Sequence, residues 1–489
     1  MATYFEESAL AQKGSSAGNG DDPYKAALSR VRDQLSQSFL PEQLTNAGPL
    51  VTESCRSIAA QVYDTYNQRA IHELRPPVAL PRDLFIQKAQ ADLLGMGALE
   101  PLLQDERIED IAVNGPKEVM VYRGQGWEAA PLQFESSERL LELLNRGMVA
   151  ANRQANVVMP VADALLPGRE RISVVTHPVC APWPAAVIRA PRARGINLID
   201  MVQPLREASG ELAGSRTGRN EARQPIDPGQ LMAYYGAYPG AMLSPQAAAY
   251  LHAAVLAGLN IAVIGPTGVG KTTLLAALGR QIPAGQRVLI IEDTPEIVLH
   301  PGGERPNNVI NLRTRPPSLE GTPAITQEEL VKLALRQRPD ALTLGEARGA
   351  EVFDLLTALN TGHKNGLTSL HAYGEEELFH RIYLMLSQSE RGRHLDAYRA
   401  AHLVGTTLHI VIAMELVMHG GRSIRRVRTI AECTGRVQAF TNFAEPEMQV
   451  MFRHTGMVQG KLEGPCNNSA FTNIFLQAGI PPQIFTPSP

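Results

Sequence analysis

Aromatic residues make up only 5% of this chain of 489, so its cores have to be built from aliphatic side chains and alanine. Cysteine is scarcer still. Cys55, Cys180, Cys433 and Cys466 are scattered, with no C-x-x-C pair. That spacing excludes a four-cysteine zinc module, argues against a disulfide framework and fits a reducing compartment. No window reaches the ~18 apolar residues of a membrane-spanning helix. The nearest, Leu403 to Met418, is interrupted by His409 and Glu415 and is rich in β-formers, so it reads as a core strand. The basic-then-apolar layout of a signal peptide is missing from residues 1–22, which carry acids early and a Gly/Ser run later. An excess of one charge is missing too: 46 Lys and Arg face 49 Asp and Glu, a net charge of −3. There is thus no whole-chain argument for nucleic-acid binding. The expectation is a cytoplasmic protein, or one held at a membrane through partners, with no direct nucleic-acid contact.

The length suggests about three domains. Residues 1–23 read as a disordered tail. Residues 24–94 read as a helical extension, in which Leu28, Val31 and Leu35 share one face and Ile58, Val62 and Tyr66 another, with a last helix from Arg82 to Leu94. Residues 95–200 read as an α+β domain: short strands at 108–115, 118–122, 171–175 and 185–189 and a helix from Ser136 to Ala151. Residues 201–228 are rich in Arg, Glu, Gly and Ala and read as a linker. Residues 229–430 alternate strand and helix, which predicts a mostly parallel sheet with its ligand at the C-terminal strand ends. Residues 431–489 read as a C-terminal extension, after a basic turn from Arg422 to Arg428.

What is present, and carries the chemistry, is Gly265-Pro266-Thr267-Gly268-Val269-Gly270-Lys271-Thr272-Thr273. Its first eight residues fit G-x-x-x-x-G-K-[ST], the phosphate-binding P-loop. An apolar strand precedes it and a helix follows. Glycines let backbone N–H groups turn inward around phosphate oxygens, toward which the positive end of the helix also points. Lys271 would reach the β- and γ-phosphates of ATP, and Thr272 would offer its hydroxyl to Mg²⁺.

Two apolar strands downstream end in acids: Val288 to Glu292, followed by Asp293 and Glu296, and Ala341 to Gly345, followed by Glu346 and Arg348. At strand ends of a P-loop sheet, acids orient the attacking water and hold the hydration shell of Mg²⁺. Glu346 is the first candidate for that position, with Gly345 standing where an aspartate is usual. Glu292, Asp293 and Glu296 are candidates for water activation; capping a helix or pairing with arginine is the alternative, about as strong for Asp293 and Glu296. His371 closes a third apolar strand and could sense the γ-phosphate, a reading strengthened by the preceding Thr361-Gly362-His363.

Taken together, Leu335 to Asp340, Gly345 to Glu351 and Leu359 to His363 resemble the type II/type IV secretion superfamily ATPases. These are hexameric motors of conjugative and effector secretion, type IV pili, type II secretion and Tad (Flp) pili. In that family Glu292 to Glu296 looks like the "Asp box", Gly345-Glu346 like the Walker B element and Gly362 to His371 like the "His box". Asn311 to Gly321 and Leu94 to Leu103, running into Asn114-Gly115-Pro116, are similar to the Tad branch. The resemblance implies a RecA-like P-loop domain at the C-terminal side of a PAS-like α+β domain, ATP and Mg²⁺ as ligands, a homohexamer, and inner-membrane platform or channel proteins as partners. It also implies arginine fingers on two strands of the N-terminal domain, matched here by Arg171 and Arg189; Arg313 and Arg315 are weaker candidates. Two readings from other classes stay open: a DNA translocase or helicase, and a nucleotide-dependent scaffold that hardly turns over.

Overall fold

Pro23 and Pro49 each open a helix at the position where a missing N–H costs nothing. These are α1 (Pro23–Ser38) and α2 (Pro49–His72), followed by α3 (Arg82–Leu94). Their apolar stripes, including Ala27, Val31 and Leu35 on α1 and Cys55, Ala59 and Val62 on α2, enclose Phe85 of α3. Tyr24 and Tyr63 pack on its ring at centroid separations of 5.6 and 5.3 Å. The computed structural model describes residues 22–40, 43–44, 48–105, 107–124, 126–149, 151, 153–166, 168, 170–190, 196–198, 200–201, 242–299, 308–315, 317, 323–419, 422–440, 443–456 and 462–487. The chain divides into two compact units at residue 192.

In the first unit the helical layer is followed by six strands: β1 (Asp110–Asn114), β2 (Val119–Tyr122), β3 (Trp127–Ala129), β4 (Val161–Leu165), β5 (Arg171–Val175) and β6 (Ala185–Arg189). They form an antiparallel sheet in the order β3-β2-β1-β6-β5-β4. Helix α4 (Ser137–Val149) places Leu140, Leu143, Leu144 and Met148 against the inward residues Ile111, Val113, Ile172, Val174 and Ile188. Strand alternation then sends Arg171, Ser173, Val187 and Arg189 to the opposite face.

The second unit is built on α5 (Pro245–Leu256), β7 (Ile261–Ile264), α6 (Lys271–Gly279), β8 (Arg287–Glu292), β9 (Asn308–Arg313), α7 (Gln327–Leu335), β10 (Ala341–Leu344), α8 (Glu351–Asn360), β11 (Lys364–Leu370), α9 (Glu375–Gln388), α10 (Ala397–Thr407), β12 (Ile410–His419), β13 (Arg422–Phe440), β14 (Phe443–His454), β15 (Leu462–Glu463) and α11 (Thr472–Gln477). One nine-stranded sheet runs β15-β14-β13-β12-β7-β11-β10-β8-β9. Strands β12 to β9 of that order pair in parallel, and β13 to β15 add antiparallel strands at one edge. Both faces are covered, as a parallel sheet requires. Ile261 and Val263 face a core shared with α5 and α6, whereas Ala262 and Ile264 face one shared with α7 to α10.

Three expectations are corrected here. The stretch from Leu403 to Met418 is not one strand: its first residues close α10, and β12 begins at Ile410, after His409 turns its ring to accept from the Asn260 N–H at 2.8 Å. Arg422 to Arg428 is not a turn but the start of β13, which runs without a break through residue 430, so the fold has no boundary there. Leu198 and Met201 pack into the core of the second unit, so that unit begins ahead of the expected linker; residues 202–241 lie outside the described residues.

The C-terminal tail is fastened by one carboxylate. Glu432 is fully buried on β13 and accepts from Tyr250 Oη (2.5 Å), Ser469 Oγ (2.5 Å), the Ala470 N–H (2.6 Å) and Gln449 Nε2 (2.9 Å). Phe475 and Phe485 stack beside it at 4.9 Å. Glu432→Ala strands these donors in a dry core, and a loss of about 3 kcal/mol or more is expected. Thermal unfolding measures the loss, and limited proteolysis should cut near residue 466 in the variant before it cuts the wild type. Unchanged protection would show that apolar packing alone holds the tail.

Candidate active site

Three glycines give the loop after β7 its shape. Gly265, Gly268 and Gly270 have φ of 151°, 79° and 96°, a region closed to most side chains. A Cβ at Gly265 would also lie 2.6 Å from the Met414 carbonyl oxygen. The loop carries Pro266, Thr267 and Val269 around a turn and hands over to α6 at Lys271, whose first turn holds Thr272 and Thr273 half-buried. Lys271 itself is buried. Its Nζ donates to the carbonyls of Gly265 and Pro266, both at 2.9 Å, and lies 3.2 Å from His371 Nδ1. Burial pushes its pKa down to about 8, against the pull of Glu346.

The strands β7, β11, β10 and β8 are adjacent and parallel, so their C-terminal ends deliver the P-loop, His371, Glu346 and Glu292 to one edge. His371 Nε2 lies 2.9 Å from Glu346 Oε1. Arg348 Nη2 lies 2.7 Å from Glu346 Oε2, and its Nη1 lies 3.1 Å from Asp293 Oδ2. Asp293 also accepts from Thr314 Oγ1 and Gln327 Nε2, each at 3.0 Å. A continuous chain thus runs Lys271–His371–Glu346–Arg348–Asp293. Burial and then the Lys271 charge hold the His371 pKa below its usual value. A neutral ring accepts at Nδ1 from the ammonium and donates from Nε2 to the carboxylate. Burial works against ionisation of Glu346, but the hydrogen bond and charge of Arg348, with His371 and Lys271, prevail and hold its carboxyl below the usual range.

The structure therefore brings Lys271, His371 and Glu346 together and leaves other candidates elsewhere. Glu292 is buried and turned back on its own chain: Oε1 accepts the N–H groups of Glu296 (2.9 Å) and Ile297 (3.0 Å). Its carboxylate shapes the turn that carries Glu296. A Cβ at Gly345 would lie 2.9 Å from Glu292 Cγ, which is why glycine stands where an aspartate is usual. Glu296 is half-buried and adds to the field around Arg348. Thr361-Gly362-His363 lies at the opposite end of β11 from His371. Gly362, at φ 103°, ends α8 there, and His363 Nδ1 is 3.0 Å from the Ala358 carbonyl. This triplet shapes a helix end, so it does not strengthen the reading of His371. Arg171 and Arg189 belong to the first unit, directly opposite one another on β5 and β6. Arg313 ends β9 in register with Glu292, and Arg315 Nη2 donates to the Pro323 carbonyl at 3.2 Å. Arg348 was not singled out as a functional residue in the sequence, although its spacing from Glu346 placed it in view.

A family model described as "Type II/IV secretion system protein" matches residues 239–463, which contain this whole edge. The type IV secretion system protein PtlH of Bordetella pertussis is 31% identical over 332 residues, covering 67% of this chain and 91% of its own. This chain belongs to the type II/IV secretion system protein family. VirB11 of Brucella suis, a type IV secretion system protein, is 30% identical over 348 residues, covering 71% of this chain and 91% of its own. A Mycobacterium tuberculosis protein provisionally named for conjugal transfer is 31% identical over 359 residues, covering 72% of this chain and 89% of its own. Membership of the type II/IV secretion family implies nucleotide binding, and the loop geometry fits it: a glycine-lined cradle opens onto a helix N-terminus with a buried lysine beside it. The donors at hand for a cation are oxygens, the Thr272 hydroxyl and the Glu346 carboxylate. Among the described residues no three His, Cys, Asp or Glu side chains cluster as a metal cage. Oxygen donors are the kind that Mg²⁺ takes, beside phosphate and water.

Proposed function

We propose that the chain is an ATP-hydrolysing motor that powers a type IV secretion channel or a Tad-type pilus. The observation that carries this reading is the hydrogen-bonded chain from the P-loop lysine through His371 to Glu346. Lys271 binds and neutralises the β/γ-phosphates. Glu346 holds and orients the attacking water, and His371, bridging the two, reports γ-phosphate occupancy to the carboxylate. Thr272 and Glu346 would hold Mg²⁺, which would supply charge neutralisation to the phosphates. Arg348 balances Glu346 and Asp293. Glu296 remains a candidate for water activation, and Glu292 acts through the turn that carries it.

The motor reading includes a homohexamer, peripheral at the inner face of the inner membrane through platform or channel proteins. No helix among the described residues is long and apolar enough to cross a membrane. The first unit supports a catalytic partnership. Arg171 and Arg189 stand side by side on one face of the sheet, an unfavourable like-charge pairing, and Asp110 is bonded to Arg189 at 3.0 Å. Two arginines at directly opposed positions on one face suit the charge that builds on a γ-phosphoryl group in the transition state. Arg171→Ala and Arg189→Ala should each lower kcat by roughly 10³ while changing ATP affinity only a few-fold. Steady-state hydrolysis and nucleotide titration read the two effects separately. Wild-type turnover in both variants would confine the first unit to docking. A fragment without the first unit should keep the P-loop but hydrolyse ATP poorly; it has to begin at or before Ile196, because Leu198 and Met201 are core residues of the second unit and Arg280 bonds the Ile196 carbonyl.

A further inference from the structure

The β12–β13 ribbon runs alongside the P-loop, and one of its side chains reaches into it. Arg425, paired with Leu416 across the ribbon, donates from Nε to the Gly268 carbonyl at 2.9 Å. The ribbon is firmly set at this point. Neighbouring Arg426 is buried and bonds Glu415 at 2.6 Å. A register shift between Ala413 and Met414 leaves Arg428 as the extra residue of the bulge, and its Nη2 meets Glu375, at the start of α9, at 2.5 Å. Met414 at the same level backs Gly265 and Gly270. The ribbon is therefore a rigid wall against which the loop is shaped.

The bond from Arg425 has a consequence on the far side of one peptide plane. A trans peptide points its C=O and the following N–H in opposite directions. Holding the Gly268 carbonyl toward Arg425 directs the Val269 N–H to the opposite side of the peptide plane. Gly268 has φ 79° and no neighbour within 4 Å of a Cβ position, so nothing in its own packing fixes that plane. A glycine peptide left to itself is free to flip and turn the Gly268 carbonyl toward the phosphates. We propose that Arg425 is a positioning residue that locks the Gly268–Val269 peptide in its phosphate-binding orientation, so that the Val269 N–H is ready for the β-phosphate before nucleotide arrives. This rests on the P-loop being a nucleotide site.

An N–H to the β-phosphate is made equally to ADP, to ATP and in the transition state, so its loss is a loss of uniform binding. Arg425→Ala is expected to weaken ADP and ATP by the same factor, roughly three- to tenfold, with kcat nearly unchanged. Arg425→Lys should recover little, because the bonded donor is Nε of a planar fork. The measurement is titration of the full chain with fluorescent ADP and ATP analogues, beside steady-state hydrolysis and apo thermal unfolding. Wild-type ADP affinity with a lowered melting temperature would reduce Arg425 to a scaffold contact and overturn the proposal. Wild-type ADP affinity with a collapsed kcat would make it a γ-phosphate residue and overturn it equally. Absence of ADP binding by the wild type itself would remove the nucleotide site, a failure separate from that of the clamp.

Discussion

Lys271→Ala should bring ATP hydrolysis down by at least about 10²–10³-fold, the scale seen when a single preorganised electrostatic partner is removed from a reacting centre. The group lost here is a full charge held in a dry setting. Lys271 is buried, its pKa lies near 8, and its ammonium is already fixed by the carbonyls of Gly265 and Pro266. Affinity for ATP should fall as well, because the lysine meets the β-phosphate in the ground state. The fold should persist: burial of this charge costs stability, and its removal relieves that cost. A melting temperature no lower than that of the wild type, measured without nucleotide, would separate the chemical loss from unfolding. Wild-type turnover in Lys271→Ala would exclude this loop as the site of hydrolysis.

Glu346→Gln should separate binding from chemistry. The amide keeps the size of the carboxylate and can still accept from His371, but it loses the charge that Arg348, His371 and Lys271 now stabilise. Hydrolysis should fall by roughly 10²–10⁴-fold, the range for removing a general acid–base group. ATP affinity should stay within a few-fold of the wild type, since Lys271 and the P-loop are untouched. Mass photometry with ATP should then find the assembled ring accumulating, because the step that releases it is blocked. Loss of ATP binding together with turnover would assign Glu346 to ground-state binding instead. A strict monomer with nucleotide bound would count against the ring.

Much of the site was legible because each of its parts is local. A P-loop is a covalent pattern: glycines where φ must be positive, then lysine and threonine at the start of a helix. The acids and His371 follow apolar runs short enough to be buried strands, and in an alternating strand–helix chain those runs end on one edge. Glu346 ranks first among them in the sequence, but the part that Glu292 plays at that edge was not legible. Glu292 and Glu346 both end apolar strands. Only the packing shows that Glu292 is tucked under Gly345 and spent on backbone N–H groups, whereas Glu346 faces Lys271 and His371. Arg348 was within reach of the sequence but indistinct, since an arginine two residues from a glutamate is ordinary on any surface. Thr361-Gly362-His363 is close to His371 in sequence but not in space. A strand of seven residues, Lys364–Leu370, separates His363 from His371 and carries them to opposite ends of the sheet.

The sequence by itself determined the family, the parallel P-loop sheet and the α+β sheet before it, because these follow from periodicity and from contiguous motifs. The tertiary structure decided what depends on residues distant in the chain. Tyr250, Glu432 and Ser469 meet in one buried network, so the tail beyond residue 465 belongs to the core of the second unit. Gly268 and Arg425 meet across 157 residues, so the ribbon that follows the last parallel strand becomes a wall of the nucleotide loop. Side-chain periodicity says which face of an element is buried, but not which distant polar group will be there to meet it. That is fixed only when the sheet order is complete and each buried donor or acceptor has to be satisfied.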